Sequence, residues 1–137
     1  MPYRFLPHTA DLRVTIESGN FDELIADGVL LMRELLAGAA PVGPREMRPI
    51  SVVGPDAGET VHAFLREILY LHGTDGFLPS TFFPDAVSPV GVRGQLAGER
   101  ADPLRHPAQP EVKAVTRHGF VVQRTERGWR SEIVFDL

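Results

Sequence analysis

Apolar and polar positions alternate in two short stretches near the start of the chain. Tyr3 and Phe5 alternate with Arg4 and Leu6 before Pro7, and Leu12, Val14 and Ile16 alternate with Arg13, Thr15 and Glu17. This period of two predicts two strands joined through residues 8–11. The period then changes. Leu24, Ile25, Leu31, Met32, Leu35 and Leu36 recur at helical spacing behind Asn20-Phe21-Asp22-Glu23. Asn20 is a good N-cap, and Glu23 three residues on can reach back to its amide. With Gly38 as a stop, the pattern predicts a helix over 21–37.

Residues 38–47 are rich in Gly, Pro and Ala and read as a loop before a strand through Ile50, Val52 and Val53. A second helix is expected from Asp56, with Glu59 at the capping-box offset and Val61, Phe64, Leu65, Ile68, Leu69 and Leu71 as its buried face. Gly73 is the expected stop, and His72 sits at the C-terminal end, where a cation is favoured by the helix dipole. From Thr74 to Pro110 six prolines and several glycines interrupt every period; Val90 and Val92 suggest a strand, with an edge or loop from Pro84 to Pro89. Alternation returns over Val112–Thr116 and Phe120–Gln123. Thr125-Glu126-Arg127-Gly128 then turns the chain into a last strand, Trp129–Phe135, ending at Asp136-Leu137. The pattern predicts a single α+β domain over 1–137, with two helices packed on one face of a mainly antiparallel sheet.

Composition narrows the function classes. Apolar residues make up 43% and charged residues 23%, with no block of like charge, as in an ordinary globular domain. The start lacks the apolar run of a signal peptide, and no stretch approaches the roughly 20 apolar residues of a membrane span, so a cytoplasmic location is expected. With zero cysteines, disulfides and thiolate metal sites are excluded. A net charge of -4 argues against nucleic-acid binding by bulk phosphate neutralisation, though not against a local patch of arginines. The 14 basic residues comprise 13 arginines and one lysine, Lys113, which marks the one position with a flexible primary ammonium.

The candidate chemistry gathers at the ends. Asp11 falls in phase with the polar face of its strand, and Asp136 follows Arg130, Glu132 and Val134 on the polar face of the last one. If the two strands pair, the acids are either solvated strand ends or, with the carboxylate of Leu137, an oxygen cluster suited to Ca²⁺ or Mg²⁺. His8 is near enough in sequence to orient Asp11, as histidine–carboxylate pairs do around metals, and is otherwise a turn residue. His62 and His72 stand ten apart and share no metal-ligand spacing, while His106 lies in the proline-rich stretch and His118 reads as a turn residue beside Gly119. No nucleophile elbow, phosphate loop, HExxH or dinucleotide fingerprint is present, so no catalytic residue is assigned.

Taken together, His8-Thr9-Ala10-Asp11, the helix motif Leu65–Leu71, the segment Glu111–His118 and the run from Gly128-Trp129 to Phe135-Asp136-Leu137 resemble the archease family along the whole chain. The resemblance implies an SHS2-like fold and a non-catalytic accessory protein of the RtcB-type RNA ligase in tRNA splicing and RNA repair. That role is to promote guanylylation of the ligase and its multiple turnover, with RNA met through the ligase. It also implies a divalent-metal group of Asp11, Asp136 and Leu137, holding calcium in a crystal and Mg²⁺ or Mn²⁺ in function, with His8, Lys113 and His118 as partner or supporting residues. Arg66 and Arg117 depart from the family pattern, where an asparagine and an aromatic are expected. The competing expectation is a general chaperone or nucleic-acid-processing adaptor without ligase specificity.

Overall fold

A computed structural model describes residues 2–3 and 10–137. The expected first strand and His8 therefore lie outside the described residues, apart from Tyr3, which is not in a strand. The elements run β1 (Asp11–Ser18), α1 (Phe21–Ala37), β2 (Glu46–Val53), α2 (Ala57–Asp75), β3 (Phe77–Ser88), β4 (Gly91–Arg100), β5 (Ala114–Val115), β6 (Val121–Thr125) and β7 (Gly128–Asp136). This is the expected α+β fold, with every described strand pair antiparallel and the strands divided between two sheets. In one, β7 is central: β1 lies along one side, and β6 and β5 follow each other along the other. The second sheet has the order β2-β4-β3.

Both helices begin where their caps dictate. The Asn20 side chain accepts from the Glu23 amide at 2.8 Å, and Asp56 does the same for Glu59 at 2.9 Å. The return bond of the first cap differs by one residue from expectation: Glu23 accepts from the Gly19 backbone amide rather than that of Asn20, whose side-chain amide donates to it at 3.4 Å. The second helix also runs past Gly73. It stops at Gly76, which takes the left-handed conformation (φ 68°) and donates its amide to the His72 carbonyl.

The larger correction is at 77–100, where the proline- and glycine-rich stretch forms the longest hairpin of the molecule. Register shifts between Pro79 and Thr81 and between Pro84 and Ala86 mark bulges that take the chain past residues unable to donate a ladder hydrogen bond. Val92 is in strand as expected, but Val90 sits in the turn. Of the expected alternating run Val112–Thr116, only Ala114 and Val115 pair as a strand.

The helices contact both sheets, and the core forms between them. Leu24, Ile25 and Met32 of α1 and Phe64, Leu65 and Ile68 of α2 meet Ile133 and Phe135 from β7 and Phe77 and Leu96 from the second sheet. Burying Ile133 and Phe135 fixes the register of β7, because a slip by one residue would turn both to the opposite face of the sheet, away from the helices. That constraint also sets the direction of Asp136.

Candidate functional site

The site follows from the alternation of β1 and β7. Leu12, Val14 and Ile16 pack against the core while Asp11, Arg13, Thr15 and Glu17 face outward and are exposed. On β7 the outward phase is Arg130, Glu132, Val134 and Asp136. Cross-strand partners on this face are Glu17 with Arg130, Thr15 with Glu132, Arg13 with Val134, and Asp11 with Asp136. The two ends are electrostatic opposites. Arg130 donates to Glu17 at 2.8 Å and to Glu132 at 3.1 Å, whereas at the far end two carboxylates stand directly opposite each other. Such opposed positions place Cβ atoms about 4.5–5.5 Å apart, and like charges there are destabilising. Among the described residues, neither aspartate has a side-chain hydrogen bond or an ion pair.

Main-chain bonds hold this tip. The Leu137 amide donates to the Ala10 carbonyl at 2.9 Å, extending the β1–β7 ladder past the two aspartates. On the other side Ala114 opposes Asp136, and the Lys113 amide donates to the Asp136 carbonyl at 2.8 Å. Asp136 is thus flanked by Asp11 and by β5.

Of the other candidates, Lys113 contributes its backbone to the tip. Its side chain makes no ion pair with either aspartate, and the residue is one of those that line a cleft of about 550 Å³ with Leu35, Leu69 and His72. His118 is exposed on the loop after β5, its amide bonded to Thr116 Oγ1 at 3.0 Å. That loop crosses the outward face near the tip: at Gly119 (φ 77°) an added Cβ would lie 3.3 Å from Arg13 Nη1 and 3.4 Å from Val134 Cγ2. His8 lies outside the described residues.

The donor set at the tip suits a hard cation, since carboxylate oxygens are the ligands that Ca²⁺ and Mg²⁺ select. Among the described residues, no three His, Asp or Glu side chains gather as a metal site. Two side-chain carboxylates are what these residues supply at the tip, and the remaining ligands would have to be main-chain or terminal oxygens and water. The fit is that of an open, partly hydrated site.

Two residues assigned no role from sequence are prominent in the structure. Glu99 is 3% exposed on β4 and accepts from Arg105 and the Gly43 amide. These bonds hold its carboxyl at about 2, well below the usual range, with the Arg105 hydrogen bond the largest cause. His62 is 4% exposed on α2, with its Nε2 2.9 Å from the Val115 carbonyl. The signal for His62 was its place beside Val61 and three residues before Leu65, within the apolar arc of the helix. Glu99 had none in the alternation, because its neighbours Gly98 and Arg100 resemble a loop.

The model of the Archease protein family (MTH1598/TM1083) matches residues 3–137. The chain belongs to the archease family. It is 36% identical over 140 residues to protein archease of Methanopyrus kandleri, and 29% identical over 139 residues to that of Archaeoglobus fulgidus, with 100% of both chains covered in each case. The fold is that of two solved structures. The solution structure of Methanobacterium thermoautotrophicum protein 1598 has a TM-score of 0.69 at 21% identity, covering 98% of this chain and 96% of that one. The crystal structure of an archease, possible chaperone, from Thermotoga maritima has a TM-score of 0.68 at 14% identity, covering 98% and 97%. Archease membership gives the chain a general accessory or regulatory role. No helix among the described residues is long and apolar enough to cross a membrane.

Proposed function

We propose that this chain is a non-catalytic accessory protein of an RtcB-type RNA ligase in tRNA splicing and RNA repair. It promotes guanylylation of the ligase and its repeated turnover, and it meets RNA through the ligase. The observation that carries this reading is the Asp11–Asp136 pair held across β1 and β7, with no ion-pair partner for either acid among the described residues. A register that opposes two carboxylates without a compensating guanidinium lowers stability, so the pair is best explained by what it holds.

Asp11, Asp136 and the carboxylate of Leu137 would hold a divalent cation, calcium in a crystal and Mg²⁺ or Mn²⁺ in function. When bound, the cation supplies positive charge for a phosphoryl group in transfer. The chain's own contribution is positional. Leu137 bonded to Ala10 and Lys113 bonded to Asp136 fix the direction of the tip, and its exposure on a strand end lets it enter a partner's cleft. Lys113 and His118 would act at the edge of that contact.

The test is guanylylation of the cognate ligase with GTP and Mn²⁺, alone and with wild-type, Asp11→Ala or Asp136→Ala protein. The wild type is expected to raise both the rate and the number of turnovers, and either substitution to remove most of that gain. Full stimulation by both variants would sink the tip assignment. Protection of unrelated clients from aggregation, without any effect on the ligase, would instead establish the chaperone reading.

A further inference from the structure

The segment that flanks the acidic tip is anchored from behind by a buried histidine. His62 lies on α2 with its ring edge-on to Phe120, 5.3 Å between centroids, and its Nε2 2.9 Å from the Val115 carbonyl. A carbonyl only accepts, so Nε2 carries the proton and donates, and in the neutral ring Nδ1 is bare. Nδ1 is buried and has no hydrogen-bond partner among the described residues. A second proton there would place an N–H and a positive charge on a buried nitrogen that no acceptor among the described residues meets, a costly arrangement.

The charged groups around the ring do not remedy this. Glu59 and Arg66 act on it from α2 and Arg117 from the loop after β5, with Asp56 lining the same small cavity of about 100 Å³. Glu59 is already engaged in an ion pair with Arg117, and the Asp56 carboxylate caps the helix by accepting from the Glu59 amide. Burial is the largest cause holding the imidazole below its ordinary value, opposed by the Val115 hydrogen bond and by Glu59 and assisted by Arg117 and Arg66.

We infer that His62 is a proton-sensitive latch: neutral, it holds residues 113–116 against α2, and on protonation it leaves its site and releases them. The released segment is the one whose Lys113 amide bonds the Asp136 carbonyl and whose Thr116 amide bonds the Val134 carbonyl at 3.0 Å. His62 is therefore a positioning residue for the tip, reached through β5. Arg66 and Arg117, the two departures from the family pattern, both disfavour the protonated form, so in this chain they hold the latch closed to lower pH. The latch stands independently of the ligase; its effect on the tip's activity rests on the proposed function.

The closed form binds the proton more weakly than a free histidine, so the open form gains population as pH falls below about 6.5, by up to tenfold per unit until the closed form itself titrates. Amide hydrogen exchange of Lys113 and Thr116, corrected for intrinsic rates and read without metal, should show opening that rises up to about fivefold between pH 6.5 and 5.5. His62→Gln, which can keep an N–H toward Val115 without titrating, should hold both amides equally at all these pH values. A wild-type profile that is flat, or a His62→Gln profile that rises like the wild type, overturns the latch. Should the variant fold poorly, an NMR titration of wild-type His62 decides: its imidazole and the Thr116 amide must shift together, below the free value. Failure of the ligase reading would appear in guanylylation and leave these amides untouched.

Discussion

Asp11 and Asp136 concentrate what is unusual about this surface into two side chains. Without a cation, their opposition should cost about 0.2–1 kcal/mol, somewhat reduced by salt because Asp11 is exposed. Asp136→Asn is therefore expected to raise the thermal midpoint of metal-free protein by roughly 1–4 °C. Millimolar Ca²⁺ should reverse the order, stabilising the wild type alone, because a ligand of the native state adds stability that grows with the logarithm of one plus its concentration over its dissociation constant. Thermal melts with and without Ca²⁺ check both halves, and a variant less stable than the wild type in the absence of metal would mean the carboxylates are not in conflict. A C-terminal extension should weaken Ca²⁺ binding with Asp136 intact; unchanged affinity removes Leu137 from the ligand set. At this scale the sequence was legible where parity sufficed: the phase of Asp11 and Asp136 in two alternating runs anticipated a shared face, but the pairing of β1 with β7 was only a condition. The place of Lys113 beside the cleft with Leu35, Leu69 and His72 was not legible, since it depends on how two paired residues of β5 seat against α2.

Among the elements, α1 and α2 were readable because cap, period and stop agree within a local window, and even the error at Gly73 has a local cause. A glycine inside a helix costs about 1 kcal/mol and does not stop it. The stop needed a residue that accepts positive φ and can close onto the preceding turn, which Gly76 does. The β3–β4 hairpin was opaque for the opposite reason. Its prolines adjoin bulges, and Gly94 and Gly98 lie where a neighbouring backbone carbonyl and a phenylalanine ring occupy the space of a side chain. These are long-range demands and leave no period. At Gly98 an added Cβ would run into the Leu78 carbonyl and lie 2.7 Å from the Phe77 ring, and backbone cannot swing aside as a flexible side chain can. Gly98→Ala should thus destabilise the fold by about 1–3 kcal/mol, as overpacking does. A urea midpoint equal to that of the wild type would show that the hairpin relaxes freely.

The whole molecule is tied together by polar fasteners that join loops to the two-sheet core, and they should fail in order as pH falls. The first is His62, which acts below pH 6.5 and frees only the short segment beside the tip. The second is Glu99. Its carboxylate accepts from the Gly43 amide and from Arg105 and has Arg45 Nε at 3.8 Å, so one buried charge fastens the loop before β2 and the loop after β4 to the second sheet. Because the folded value, about 2, lies below the ordinary 4.5, the unfolded chain binds the proton more readily. The contribution is complete above pH 4.5 and declines as pH falls toward 2. Glu99→Gln should be less stable than the wild type at pH 7, where Arg105 loses its partner, and should show a shallower loss of urea midpoint between pH 4.5 and 2, the two curves approaching each other at the acid end. Equal slopes would mean Glu99 is not the group that fails. With the windows separated, amide exchange in 113–116 should report opening near pH 6 while the urea midpoint is still governed by an intact Glu99, which places local release of the tip before global unfolding.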